Sequence, residues 1–122
     1  MNSSDLKKRT KAFTLRVLKL TDAIPNTIKG RAIKGQLVRS GTSVGANYRA
    51  ACRTRSPAEF SAKLGTVIEE ADESAFWIEI IIDDQIMEPT RVIPLLQEAD
   101  ELVAIMTRSR KTVISSMKDK RQ

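Results

Sequence analysis

The sequence predicts an all-α fold, an antiparallel up-and-down four-helix bundle that occupies residues 1–122 as a single domain. Apolar residues recur at helical spacing in four segments. The alternation of polar and β-branched residues that is typical of strands is absent. Only 5 glycines and 4 prolines interrupt the chain. Because the connections between the segments are short, neighbouring helices are expected to run antiparallel.

The first helix is predicted over about residues 4–24. Ser3 or Ser4 is suited to cap its N-terminus, since a serine side chain accepts a hydrogen bond from a first-turn amide. Pro25 ends it, because the residue before a proline is biased away from helical backbone. One apolar stripe follows the helix and consists of Leu6, Phe13, Val17, Leu20 and Ile24.

The second helix is predicted over about residues 28–54. Its weak point is the run 40–46, where two glycines each cost about 1 kcal/mol in a helix interior relative to alanine. A loop in this run is the alternative interpretation. Leu37 and Val44 are seven residues apart, so the apolar stripe keeps its phase across the run and favours a continuous helix. The small residues would then allow a neighbouring helix to approach closely.

The third and fourth helices have clear starts and are predicted over about residues 57–87 and 91–117. Ser56 is the expected N-cap of the third helix, and Pro57 occupies its first position, where the missing amide is not needed. Glu59 completes the pattern of a capping box. The fourth helix follows the connection after the third and closes the bundle.

Basic residues are concentrated in the first half of the chain. Residues 1–55 contain 13 Lys or Arg and 2 Asp or Glu, whereas residues 56–122 contain 8 and 13. The overall net charge of +6 therefore hides a charge asymmetry. Such asymmetry indicates either a surface that binds polyanions or a complementary contact between halves or subunits.

The second helix carries the candidate binding site. Five of its cations fall within an arc of about 140° opposite the apolar stripe. Arginine binds phosphate through two parallel N–H groups, so this face predicts an interface with a nucleic-acid backbone. A solvated face, or a face paired with the acidic third helix, is the alternative. The five predicted nucleic-acid-binding residues are Arg31, Lys34, Arg39, Arg49 and Arg53.

Further basic residues of the first helix are expected to extend this surface. No aromatic residues are interleaved with the cations, so sequence-specific readout of single strands is not expected. The four residues concerned are Lys7, Lys8, Arg9 and Lys11.

No catalytic residue, metal site or cofactor is predicted, and the chain is not expected to be an enzyme. It contains no histidine, which excludes the Glu-x-x-His ligands of di-metal bundles. The carboxylates of the third helix predict a solvated acidic face, with an all-carboxylate magnesium site as the alternative. The lone Cys52 cannot form an intramolecular disulfide and fits a reducing compartment. With no targeting segment and no membrane-spanning run, the protein is expected to be cytoplasmic.

Several apolar residues lie off the stripes that a monomeric bundle would bury. Two such sets, on the first and third helices, predict a second buried surface and hence a homo-oligomer. The predicted interface residues are Leu15, Leu18, Phe76 and Ile80, with Met87 on the same outward side.

The segment Arg39–Ala51 resembles the central signature of a bacterial four-helix-bundle family, which is named for proteins encoded within intervening sequences of 23S ribosomal RNA. The resemblance covers nearly the whole chain. It continues through Glu59, Phe60, Lys63, Leu64, 69–73, Trp77, Glu101, Leu102 and 109–112.

This resemblance implies a bundle that assembles into a ring, typically a homopentamer. A related branch, the accessory variability determinant of diversity-generating retroelements, is a basic pentameric barrel that partners a reverse transcriptase and nucleic acid. The family has no established catalytic residues. Arg39, Arg49 and Arg53 are the positions we expect to contact RNA or DNA. Arg49 departs from the pattern, since many relatives carry an acidic residue there.

Three functional hypotheses follow. The first is a ring-forming adaptor that binds the backbone of RNA or DNA through the second helix. The second is a protein-interaction scaffold whose basic half pairs with acidic surfaces of neighbours or of a partner enzyme. The third, a metal-dependent enzyme, is disfavoured by the absence of histidine.

Overall fold

The computed structural model describes residues 1–121, with side chains described to residue 119, and this part of the chain contains four helices and no strand. The helices are α1 Ser3–Asp22, α2 Ile28–Ala51, α3 Pro57–Asp83 and α4 Pro89–Arg121. Each packs against the next, and α4 returns to α1 through the least extensive of the four helix contacts. The predicted all-α class and four-helix bundle are confirmed. No helix among these residues is both long and apolar enough to cross a bilayer.

The helix starts follow the capping rules, with two small differences from the predictions. Asn2 rather than a serine caps α1, and it forms a reciprocal capping box with Asp5. Ser56 caps α3 as predicted by accepting the Glu59 N–H at 3.1 Å. The Glu59 carboxylate, however, accepts the N–H of Arg55 at 3.0 Å instead of that of the capping residue. Thr27 caps α2 by accepting the N–H of Gly30.

The predicted end of the third helix near Met87 is wrong, because α3 stops at Asp83. Gln85 adopts a left-handed backbone with φ of 54°. The N–H of Ile86 then bonds the Ile81 carbonyl, and the N–H of Gln85 bonds the Ile82 carbonyl. These two bonds form a Schellman motif, which closes a helix and turns the chain away.

This early turn also corrects the placement of Met87. The turn directs its side chain inward, where it is 8% exposed and part of the core. Leu15 and Phe76 are exposed as predicted, by 57% and 50%, and Leu18 by 38%. Ile80 is half-buried and packs against the core, so it offers less outward surface than its position on the helical wheel indicates.

The predicted continuity of α2 through its glycines is confirmed. Gly41 is buried against α1, and a Cβ built on it would lie 2.6 Å from Val17 Cγ1. The Thr14 hydroxyl donates to the Gly41 carbonyl at 2.9 Å. The absence of a side chain at Gly41 therefore lets α1 and α2 approach closely, as the sequence predicted.

The core runs along the bundle axis and is built from the apolar stripes of all four helices. A buried hydrogen bond between the hydroxyls of Ser74 and Ser40, 3.0 Å long, joins α3 to α2. The largest fully buried side chains are Phe13, Leu37, Leu64, Ile78, Ile81, Leu102 and Met106.

Candidate nucleic-acid interface

A groove of about 560 Å³ lies between the first half of α1 and the second half of α2. We call it the basic groove, because its walls carry five cations. They are Lys7, Lys8, Lys11, Arg49 and Arg53.

The antiparallel packing of α1 and α2 brings these cations together. The N-terminal end of α1 lies beside the C-terminal end of α2, although the two ends are far apart in sequence. Lys7 and Lys11 are one helical turn apart and share one face of α1 at a spacing of about 6 Å. Arg49 lies in the last turn of α2, whereas Arg53 lies two residues beyond the helix, because α2 stops at Ala51 and not near residue 54 as predicted. Gly45 also lines the groove, and its lack of a side chain lets α1 approach α2 closely, since a Cβ built on it would lie 2.8 Å from Thr14 Oγ1.

The groove concentrates positive charge without local compensation. No Asp or Glu lines it, and none of its five cations forms an ion pair with a side chain in the described part of the chain. Cations gathered in a concave surface produce a positive potential that attracts polyanions. The arrangement is therefore suited to binding phosphate groups through Lys and Arg.

The five residues of the predicted basic face do not lie together in the structure. Arg49 and Arg53 lie in the basic groove. Arg31 and Lys34 lie near the other end of α2, with Arg31 about 27 Å from Arg49 along the helix axis. The Arg31 guanidinium donates to the Asn26 carbonyl at 3.1 Å. A helical wheel places Arg31 and Arg49 at the same angle, but it does not show how far apart they lie along the helix axis.

Arg39 is paired with α3. Its guanidinium binds the Glu73 carboxylate closely and lies 3.6 Å from Glu70. This is the contact with the acidic third helix that the sequence left open as an alternative, and it occurs within one chain. The side chain is still 53% exposed. Arg39 therefore joins α2 to α3 and is only partly available to an external anion.

Arg9 also departs from the prediction that it extends the basic surface. Its guanidinium forms two hydrogen bonds with the Glu98 carboxylate, of 2.8 and 2.7 Å, and reaches Glu101 at 3.0 Å. These hydrogen bonds hold the pKa of Glu98 below its ordinary value and raise the pKa of Arg9. The pairing joins α1 to α4, a contact that the local sequence pattern does not reveal.

A second cavity, of about 590 Å³, lies at the same end of the bundle. We call it the terminal cavity. It is formed by the connection between α2 and α3, the start of α3 and the last turns of α4, so no single motif could have predicted it. Its lining is mainly apolar and includes Cys52, Arg55, Phe60, Thr112, Val113 and Met117.

Cys52 follows the last residue of α2 and lines both the basic groove and the terminal cavity. Its thiol is half-buried. Burial, together with the neighbouring Cys52, raises the pKa of Tyr48, so the phenol stays protonated at physiological pH. Within the residues that the structure describes, no cluster of three His, Cys, Asp or Glu side chains is arranged to hold a metal ion.

Comparisons with known proteins agree with this fold. A protein-family model described as 23S rRNA-intervening sequence protein matches residues 2–108. The chain is also similar to the crystal structure of a protein of unknown function from the S23 ribosomal protein family of Bacteroides thetaiotaomicron VPI-5482. That similarity has a TM-score of 0.83 and 28% sequence identity, and it covers 91% of this chain and 99% of the other. No curated protein gives a significant match.

Proposed function

Because the chain belongs to the family of 23S rRNA-intervening sequence proteins, whose structural relative is of unknown function, we propose its function from the basic groove. We propose that the protein is a cytoplasmic, non-enzymatic adaptor that binds the phosphate backbone of RNA or DNA. One observation carries this proposal: five cations line one groove without an acidic neighbour in its lining.

The electrostatics give the proposal a measurable signature. Each phosphate that a cation neutralises releases condensed counterions, so affinity falls as salt rises. If all five groove cations contact phosphates, the logarithm of the binding constant should fall with the logarithm of salt at a slope of about −3.5 for single strands and about −4.5 for duplex DNA. Arg39 and Arg9 contribute less, because carboxylates of the same chain already bind them.

The test is fluorescence anisotropy of labelled RNA and DNA at increasing salt. Arg49→Ala combined with Arg53→Ala should weaken binding and reduce the salt slope by about 1.4 for single strands and about 1.8 for duplex DNA. Arg31→Ala combined with Lys34→Ala is the matched control, since it removes the same charge from the same helix at its other end. We expect the control to change the slope little. Equal effects of the two double variants would show that the groove is not the binding site.

Assembly into a ring, with a pentamer implied by the family resemblance, forms part of the same proposal. Exposed Leu15, Leu18 and Phe76 support it, because burying them between copies would remove apolar surface from water. Leu15→Glu and Phe76→Glu should reduce the particle mass in multi-angle light scattering. An unchanged mass for both variants would exclude these side chains from an interface. Glu replacement at Ile80 is less informative, since that side chain also packs against the core.

A protein-interaction scaffold is the second candidate. The outward face of α3 favours it, since half-exposed Phe76 shares that face with the carboxylates of Glu69 and Asp72. Such a face is suited to a basic partner surface, with the phenyl ring as an apolar anchor. A reverse transcriptase, which the resemblance implies, is one partner to test. Partners that remain bound in a pull-down after nuclease digestion, and are lost with Phe76→Glu, would favour this candidate.

A further inference from the structure

The terminal cavity adjoins the basic groove, because Cys52 lines both. We propose that it holds an unstacked base of a single-stranded nucleic acid whose phosphates lie in the basic groove. This inference rests on the proposed function and narrows its ligand from nucleic acid in general to an unpaired strand. A duplex keeps its bases stacked inside the helix, whereas a single strand can turn one outward into a protein cavity.

The connection between α2 and α3 links the two sites. Arg53 lies on the wall of the basic groove, and Arg55, two residues later, lies on the wall of the terminal cavity. A strand that follows the cations of the groove toward this connection therefore reaches the mouth of the cavity. Arg53 and Arg55 carry positive charge along that route. The Glu59 carboxylate, which accepts the Arg55 N–H at 3.0 Å, offsets part of this charge at the connection.

The cavity has the chemistry that a base requires. Phe60, Val113 and Met117 supply an apolar surface. Phe60 is half-buried and also packs against the core, and the part of its ring that lines the cavity is the proposed stacking partner for a planar base. Ser116 and Arg55 belong to the same lining, and a serine hydroxyl or an arginine guanidinium can donate hydrogen bonds to a base edge. A volume of about 590 Å³ lies within the ordinary range of small-molecule sites.

The sequence predicts no sequence-specific readout of single strands, because no stacking aromatic residues are interleaved with the cations. The sequence pattern is right that no aromatic residue is interleaved among the cations of α1 and α2. The packing of α3 against the end of α2 nevertheless places Phe60 in the lining of the terminal cavity, which adjoins the groove at Cys52. The aromatic residue thus comes from a different helix from the cations.

The test compares four labelled or competing probes: a short oligothymidylate, a strand of the same length with abasic sites, the corresponding duplex, and inorganic polyphosphate. Wild-type protein should bind the oligothymidylate at least about fivefold more tightly than the abasic strand, the lower end of what one base stacked on an aromatic side chain contributes. Phe60→Leu should lower the affinity for the oligothymidylate to that for the abasic strand, and it should leave the affinity for the abasic strand unchanged. Phe60→Tyr, which keeps an aromatic ring, should retain the preference.

Different failures have different meanings. Equal binding of the oligothymidylate and the abasic strand by wild-type protein would overturn the base site and leave phosphate binding intact. Weaker binding of every probe by Phe60→Leu, with an altered circular dichroism spectrum, would show a structural role and also overturn it. A particle mass that falls in Phe60→Leu, with no dependence on bases, would assign the cavity to a second copy of the chain. Absence of binding to all four probes at low salt would overturn the proposed function itself.

Discussion

Gly41→Ala should destabilise the protein, although alanine is the better helix former. In a helix interior alanine is favoured over glycine by about 1 kcal/mol. At this position, however, the new Cβ would lie 2.6 Å from Val17 Cγ1 and 2.9 Å from Val17 Cγ2. Val17 is fully buried and β-branched, so its side chain cannot rotate away without displacing its neighbours. Insertion of a methyl group into a well-packed core costs about 1–3 kcal/mol.

Gly35→Ala is a matched control in the same helix. A Cβ at Gly35 meets nothing within 4 Å, so only the helix preference acts and the variant should be stabilised by about 0.5–1 kcal/mol. Both variants gain the same helix preference of alanine over glycine, so this contribution cancels when they are compared. Their difference in the free energy of unfolding should therefore approach the cost of the Val17 overlap, about 1–3 kcal/mol, with Gly41→Ala the less stable.

Urea denaturation followed by circular dichroism measures this difference. Both variants must be compared with wild type at one protein concentration, since self-association would shift the apparent stability. A difference of this size corresponds to a shift in Tm of several degrees. If Gly41→Ala proved as stabilising as Gly35→Ala, the close approach of α1 and α2 at Val17 would be refuted.

Three further predictions concern helix ends and the bond between α1 and α4. Ser56→Ala should lower the free energy of unfolding by about 1 kcal/mol in urea denaturation, because α3 loses its N-cap. Gln85→Gly should raise it by about 0.5–1 kcal/mol by relieving the left-handed backbone. Gln97→Gly, at an exposed position inside α4, should instead lower it by about 1 kcal/mol. Glu98→Gln should cost about 1 kcal/mol at pH 7. The pKa of Glu98 in the folded state lies below its ordinary value of 4.5, so pairing with Arg9 stabilises the protein fully above about pH 4.5. As the pH falls further, the free energy of unfolding of the variant should approach that of wild type. A difference that stays constant with pH would contradict this.

Most of the fold could be predicted from the sequence because its signals are local. Leu37 and Val44 keep the α2 stripe in phase across two glycines, and Ser56 with Pro57 marks the start of α3. The end of α3 could not be predicted in this way. Its Schellman motif places Gln85 where glycine is usual, so the common sequence signal for a helix end is missing.

The candidate site was only partly predictable, because helix periodicity gives the direction of a side chain but not its partners. Arg31 and Arg49 point the same way from α2, yet only Arg49 meets the lysines of α1. Arg39 and Arg9 have carboxylate partners on α3 and α4, and those pairs depend on how the helices pack. Phe60 lines the adjoining terminal cavity for the same reason.

The bond between Arg9 and Glu98 has a consequence for the shape of the binding surface. Arg9 follows directly after two lysines, but it points to the opposite side of α1 and anchors that side to α4. Rotation of α1 about its own axis would break both hydrogen bonds and lift its buried stripe from the core, so the pair helps the core to fix the direction in which Lys7 and Lys11 project. Arg9 thus orients the groove lysines of α1 although it lies outside the basic groove. Its loss would let Lys7 and Lys11 take up a wider range of orientations, while the number of cations in the groove would stay the same.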